Sequence, residues 1–405
     1  MKRNFSLPSF TFGIWLSAWA LLASSVWAVD WQLHRFEGRD YVSVDNIATF
    51  YGLPAPPALP KPPPPTAPLP TPASTAPTDA ASPSPAPDAA AAALAAAATT
   101  LATPAVPLPR TIALDSGKRQ LEFTVNSREV LINGAKHWLA FPSVAQDGKL
   151  LISRLDLSRI IEPRLRPENI EGLKPFTRVV LDPGHGGHDK GAASRFGYEK
   201  DFALDVAKRA RTILESRGYT VAMTRTTDVF IPLHERPKLA ANDANTIFVS
   251  IHFNATMTNP DARGFEIFSI APRGAPATND PGFKPRDLRE EPGNAHELPS
   301  GALAGTIYHS LLGQVPTLDR GLKHARFAVL RLARVPAVLV ECGFVTNGPE
   351  SALIGSAAWR GRVAEAIVEG IDEYKLLTSN KQPPKHIADY RRAAAAAPGA
   401  TGTTP

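Results

Sequence analysis

The sequence predicts an α/β fold, a largely parallel sheet flanked by helices over residues 177–377, preceded by a small α+β domain that a Pro/Ala-rich segment interrupts. Three observations carry this reading. From Thr177 onward, apolar β-type runs alternate with helical stretches, the pattern of an α/β sandwich. Residues Pro54–Arg110 hold eighteen prolines and nineteen alanines among 57 positions and no aromatic residue. Such a stretch cannot bury enough surface to fold. The 23 residues Trp31–Leu53 are too few for a core of their own, so they must pack with the strands on the far side of the insert.

The elements can be taken in chain order. Residues 1–28 begin with Lys2 and Arg3, continue through an apolar stretch from Phe10 to Leu22, and end in Val26-Trp27-Ala28. This is the pattern of a cleaved secretory signal peptide. The apolar run is shorter than the ~20 residues a membrane span needs. The expected location is therefore the cell envelope, periplasmic or secreted, with no membrane span in the mature chain. The only cysteine of the 405 residues is Cys342, which excludes an intrachain disulfide framework, a Cys-rich zinc module and a lipoprotein anchor near the cleavage site. The formal net charge of +6 favours anionic surroundings without implying nucleic acid, and no nucleic-acid partner is expected.

In residues 29–165, Gly38–Val44 reads as a strand and Asp45–Tyr51 as a short helix capped by Asp45. After the insert, Leu121–Val125 and Glu129–Ile132 read as strands, followed by an Asn133-Gly134 turn. In the larger domain, strands are expected at Arg178–Asp182, Tyr219–Thr224, Ile247–Ile251, Phe265–Ile270 and Ala337–Cys342. Helices are expected at about Lys200–Ser216, Leu233–Asn242, Ala302–Gly313 and Ala357–Leu377. Residues 379–405 are rich in Ala, Pro, Thr and Lys and read as a disordered tail.

Ligands of open α/β sheets bind beyond the carboxyl ends of the strands. Here Val179–Asp182 runs into Pro183-Gly184-His185-Gly186-Gly187, Ile247–Ile251 ends in His252-Phe253-Asn254, and Val338–Val340 ends in Glu341-Cys342-Gly343. Glu199 precedes the first helix and should lie at the same edge. Two histidines and one carboxylate make a zinc site with an open position, and a second carboxylate provides the proton acceptor and donor for metal-assisted hydrolysis. His185, Glu199 and His252 are read as ligands and Glu341 as acid/base, although spacing leaves open which glutamate ligates. A lone histidine at a strand end is more often structural than a ligand, but two beside glycines, with a glutamate closing a Val-rich strand, weigh toward a site. An unpaired buried carboxylate at Glu341 is costly without a purpose. Cys342 alternates away from Glu341 and reads as core. His188 and Asp189 are disfavoured as ligands, and His234-Glu235 lacks the second histidine of an HExxH helix. His296, His309 and His324 read as surface or helix residues.

Val179–Ala192, Glu199–Leu204, Thr224-Arg225, Ser250–Ala255 and Val340–Asn347 together resemble the zinc-dependent N-acetylmuramoyl-L-alanine amidases of the Amidase_3 family. The resemblance implies Zn2+ held by His185, Glu199 and His252, with Glu341 as the catalytic glutamate. It also implies the reaction, hydrolysis of the amide between N-acetylmuramic acid and the L-alanine of the peptidoglycan stem peptide, in wall remodelling or cell separation. The alternatives are an exported zinc peptidase acting on stem peptides and a non-catalytic wall-binding protein. Gly38–Val44, Ser127–Gly134 and Leu150–Asp156 resemble the copper amine oxidase N-terminal-like domain of bacterial envelope proteins. That resemblance implies no copper, since only His34 and His137 occur there, without ligand spacing. Such a domain is expected to bind wall polymer or a partner of the division machinery. Ala271–Ser300, rich in Pro, Gly and charge, exceeds ordinary loop length. Its expected role is a lid over the site, with Glu290 or Glu291 as plug and an activator protein acting on it; the alternative is a solvated surface loop.

Overall fold

In the computed structural model of the chain, the described residues are 30–60, 111–241 and 243–396. The expected signal peptide and residues 61–110 of the insert lie outside them. Of the insert, 54–60 are described; Leu59 is buried in the N-terminal core and its N–H donates to Gly148 O.

The N-terminal unit opens with β1 (Leu33–Phe36), β2 (Arg39–Ser43) and α1 (Val44–Tyr51). Ser43 rather than Asp45 caps α1: its Oγ accepts from Asn46 N at 3.2 Å, and Asp45 occupies the first turn. A meander comes next, β3 (Thr111–Asp115), β4 (Gln120–Thr124), β5 (Glu129–Ile132) and β6 (Ala135–Trp138), then β7 (Val144–Gln146) and β8 (Lys149–Ser153). Strands β1, β2, β8 and β7 form a four-stranded sheet. Alternation in β3 and β4 sends Ile112, Leu114, Leu121 and Phe123 inward to meet Ile47 and Ile152.

The second unit contains β9 (Arg178–Pro183), the short pair β10 (Ala193–Ser194) and β11 (Gly197–Tyr198), α2 (Glu199–Ser216), β12 (Thr220–Met223), β13 (Thr246–Asn254) and β14 (Phe265–Ile270). It continues with α3 (Glu297–Gln314), β15 (Asp319–Ala325), β16 (Ala337–Phe344), α4 (Ala357–Asn380) and α5 (Ile387–Ala396). Strands β12, β9, β13 and β16 are mutually parallel, as expected; β14 runs antiparallel to β16, and β15 parallel to β14. One face of this sheet packs Val179, Ile251 and Val340 against Ala203, Ile307 and Ile367 of α2, α3 and α4. The other packs Val180, Phe248 and Leu339 against Val329 and Leu330. Strand β15 pairs with β6 through Leu322 and His137, so the N-terminal meander extends the sheet to ten strands.

Besides the cap of α1 and the seating of residues 54–60, which the expected disordered insert included, four expectations differ from the structure. Leu233–Asn242 contains a 3-10 turn at Arg236–Ala240 instead of an α-helix, because Pro237 lacks the N–H that a helix interior requires. The strand Asp319–Ala325 was not expected; its Lys323 and His324 look solvent-facing in sequence but are buried. The tail reading fails for its first half: α4 runs on to Asn380, and α5 seats Ile387 and Tyr390 in buried positions. The physical reason is that these two residues, three apart, share one helix face. Residues 397–405 lie outside the described set.

The fourth difference concerns the insertion. Glu266 of β14 pairs with Glu341, and Phe268 with Leu339, so β14 runs away from the edge where β13 and β16 end. Residues 271–300 therefore leave at the opposite edge and cannot lie over the candidate site. They pack on the N-terminal unit, with Ala275 against Ala140 and Phe141 and with Arg128 Nη1 donating to Thr278 O. Glu290 pairs with Arg273, and Glu291 with Arg331. The lid with a glutamate plug is thus overturned by the direction of one strand.

Candidate metal and catalytic site

Three sheet strands deliver the site. Strand β9 ends in Pro183, and the chain turns at Gly184 to present His185 with φ +57°, an uncommon conformation for a residue with a Cβ. Two buried arginines hold this turn through its carbonyls. Arg225 donates to Pro183 O and Gly184 O, and Arg236 to Pro183 O and His185 O. Arg236 also pairs with buried Asp182 at 3.0 Å, so neither its charge nor that of Asp182 is left uncompensated. Gly184 is required by close approach: a Cβ there would lie 2.4 Å from His252 Cε1.

Glu199 opens α2, where unpaired backbone N–H groups favour negative charge. Its Oε2 accepts from Ala192 N at 2.9 Å and its Oε1 from Phe253 N at 3.1 Å, which fixes the carboxylate plane. Its Oε1 also lies 2.9 Å from His185 Nε2 and 3.1 Å from His252 Nδ1. The candidate ligand atoms of His185, Glu199 and His252 all fall within 4.8 Å of one another, a group that could hold a metal ion. Burial works to raise the Glu199 pKa, but the hydrogen bonds and charges of the two imidazoles bring it far below the ordinary carboxylate range. Burial likewise works to lower that of His185, and contacts with Glu199 and Asp189 outweigh it, raising the value.

Asp189, disfavoured as a ligand by its sequence position, meets the site at a different point. Its Oδ2 lies 2.9 Å from His185 Nδ1. With that nitrogen engaged, Nε2 is the one presented toward Glu199, the arrangement in which a carboxylate sets the tautomer of a metal-binding imidazole. A polar residue four positions after a histidine is a usable signal in retrospect. Arg225 falls in the Thr224-Arg225 stretch of the family resemblance, but what Arg225 and Arg236 do is not legible in sequence, because most of their partners are backbone carbonyls far away in the chain.

Glu341 lies beside His252, its Cα partner across the β13–β16 pair. It is half-buried, and its Oε2 has no hydrogen-bond partner among the described residues. Burial first, then the negative charges of Glu199 and Glu266, push its pKa well above the usual carboxylate value, with Lys323 opposing. Behind it, Glu266 accepts from Lys323 Nζ at 2.5 Å, Arg320 Nε at 3.1 Å and Asn254 Nδ2 at 2.5 Å. Cys342 points the other way and is fully buried, its thiol pushed up by burial. His188 packs against Phe230 with ring centres 4.4 Å apart and the rings tilted, and stands outside the His/Glu/His group. His324, read as surface, is 3% exposed.

The arrangement can hold one divalent cation between two imidazoles and a carboxylate while a second, raised-pKa carboxyl group stands close by. That is the chemistry of metal-assisted hydrolysis.

Comparison with known proteins places this geometry in context. The family model described as Amidase_3, N-acetylmuramoyl-L-alanine amidase, matches residues 179–373. The chain is 37% identical over 224 residues to the N-acetylmuramoyl-L-alanine amidase AmiA of Escherichia coli, covering 48% of this chain and 75% of that protein. It is 33% identical over 229 residues to AmiC of Neisseria meningitidis serogroup B, covering 50% of this chain and 53% of that protein. Among solved structures, AmiC2 of Nostoc punctiforme is 33% identical, covering 50% of this chain and 98% of that one, with a TM-score of 0.41.

Proposed function

The chain belongs to the Amidase_3 family of N-acetylmuramoyl-L-alanine amidases, and from that premise we propose how its site performs the reaction. It is a peptidoglycan hydrolase, cleaving the amide between N-acetylmuramic acid and the L-alanine of the stem peptide. The observation that carries the proposal is the convergence of His185, Glu199 and His252 within 4.8 Å, beside an unpartnered Glu341 carboxylate.

His185, Glu199 and His252 would hold the metal, and the donor set of two imidazoles and one carboxylate suits Zn2+. When bound, zinc supplies a Lewis acid and brings the pKa of water toward about 7. Asp189 keeps the proton on His185 Nδ1, which would leave Nε2 free to serve as the metal ligand. Glu341 takes the proton of the attacking water and returns it to the alanine nitrogen as the C–N bond breaks. Its place beside His252, with Oε2 free of any hydrogen-bond partner among the described residues, leaves the carboxylate available for both steps. No covalent adduct of the chain is required.

The reading includes export by residues 1–28 and action in the cell envelope; among the described residues no helix is long and apolar enough to cross a membrane. It also includes the domain division at about residue 165, with the N-terminal unit, copper amine oxidase N-terminal-like, as a wall- or partner-binding accessory. An activating partner that works through 271–300 acts from the far edge of the sheet. The test is digestion of purified muropeptides with mass analysis, alongside zinc content. Release of intact stem peptide from the glycan, abolished by a chelator and restored by zinc, is the expected result. Trimmed peptides still attached to sugar would point to a peptidase instead.

A further inference from the structure

The seam between the N-terminal unit and α3 gathers basic and imidazole side chains; Glu297, which lines it beside Arg164 and His324, is paired with Arg159 at 3.9 Å. Arg164, on the short helix Glu162–Leu165, lies across α3: a Cβ at Gly301 would sit 2.7 Å from a guanidinium nitrogen. The glycine is what lets the side chain in. Arg164 Nε and Nη1, both ring nitrogens of His137, and Nε2 of His309 and His324 are buried with no hydrogen-bond partner among the described residues. Burial brings the Arg164 pKa down to about 10, so it stays charged at neutral pH. No carboxylate acts on it; the charge of Arg164 itself depresses the three histidines further.

Beside Arg164 lies a cavity of about 190 Å³. Its rim carries Lys118 and Arg119 from the β3–β4 turn, its wall carries Arg164 and His309, and Glu168 is the one acid among its lining residues. The floor is the small-residue face of α3, largely apolar. We propose that this cavity is an anion-binding site, separate from the hydrolytic centre, for a ligand whose carboxylate or phosphate group meets Lys118, Arg119 and Arg164. Three cationic side chains and one acid line the cavity, and charged guanidinium nitrogens buried without a partner are costly. Ordered water satisfies N–H groups but leaves the charge uncompensated, whereas an anion answers both. The apolar floor suits a ligand with a neutral body behind its charged group. Because the walls come from both units, occupancy also ties the N-terminal unit to α3.

The test uses the full mature chain at pH 7. Thermal unfolding is followed in sodium phosphate and in sodium acetate, each against sodium chloride of equal ionic strength. A saturable rise of about 2–4 °C in at least one of the two anions is expected. A rise in phosphate alone identifies a phosphate group as the ligand chemistry, and a rise in acetate a carboxylate. The Lys118→Ala/Arg119→Ala variant, changed at the surface rim, should keep the chloride midpoint and lose the response. A rise no larger than chloride produces, or one that this variant retains, overturns the proposal; the latter outcome would place the anion elsewhere, the metal site included. Muropeptide hydrolysis in chloride should be unchanged in the variant, so failure here is distinguishable from failure of the amidase reading.

Discussion

His185 is held on three sides: Asp189 at Nδ1, Glu199 at Nε2, and Arg236 at its backbone carbonyl. Positions fixed this tightly make substitutions informative. Glu341→Ala removes the proposed proton carrier and none of the proposed ligands. It should therefore bind zinc as the parent does while hydrolysis falls by about 10²–10⁴-fold, read by metal analysis and muropeptide turnover; parental turnover would refute the role. Gly184→Ala drives a methyl group into the His252 ring. Its expected effect is on the metal, with zinc affinity lowered by about 10–100-fold, measurable by competition with a chromogenic chelator. Equal affinity would mean that His252 is not held where the site needs it. At this scale the strand-end histidines and glutamates were legible, because strand ends and glycines are written in the local pattern. Arg225, Arg236, Glu266 and Lys323 were not, since what makes them site residues is a partner distant in sequence.

Elements carry the next level of consequence. Helix α5 is a docked element whose Ile387 and Tyr390 are about 95% buried. Tyr390→Ala should cost about 3 kcal/mol of stability, in the range for truncating a buried aromatic residue, and lower the urea midpoint with an unchanged slope. A midpoint equal to the parent would return this segment to the status of a free tail. The insertion teaches a related lesson about strand direction. Composition marks 271–300 as an unusual loop, but only the antiparallel pairing of β14 with β16 decides which edge it leaves from. Strand β15 is illegible in sequence for a different reason. Lys323 and His324 are buried there because Glu266 meets the lysine and the N-terminal unit covers the strand's outer side, and neither partner is visible in seven residues of sequence.

Over the whole molecule, the joining of two units in one ten-stranded sheet creates a buried seam that titrates. Burial pushes His309 down to about 4 and His324 to about 3, and His137 lies well below its ordinary value. In the unfolded chain each takes a proton near pH 6.5. Between that value and the folded ones the unfolded state binds more protons, so stability is full above about pH 6.5 and declines as pH falls. At pH 5, His324 alone should withdraw about 2 kcal/mol. Urea unfolding at pH 7 and pH 5 should show the loss, and His324→Leu should shrink the difference between the two; an undiminished difference would locate the acid sensitivity elsewhere. The sequence by itself determined the α/β alternation, the strand ends that carry His185, His252 and Glu341, and the segment too poor in bulky residues to pack, because each is a property of local pattern and composition. Only the tertiary structure decided that Asp189 orients a histidine, that the long insertion stands at the far edge, and that the N-terminal strands complete the sheet. Those depend on strand direction and on contacts between residues far apart in the chain, which local periodicity does not encode.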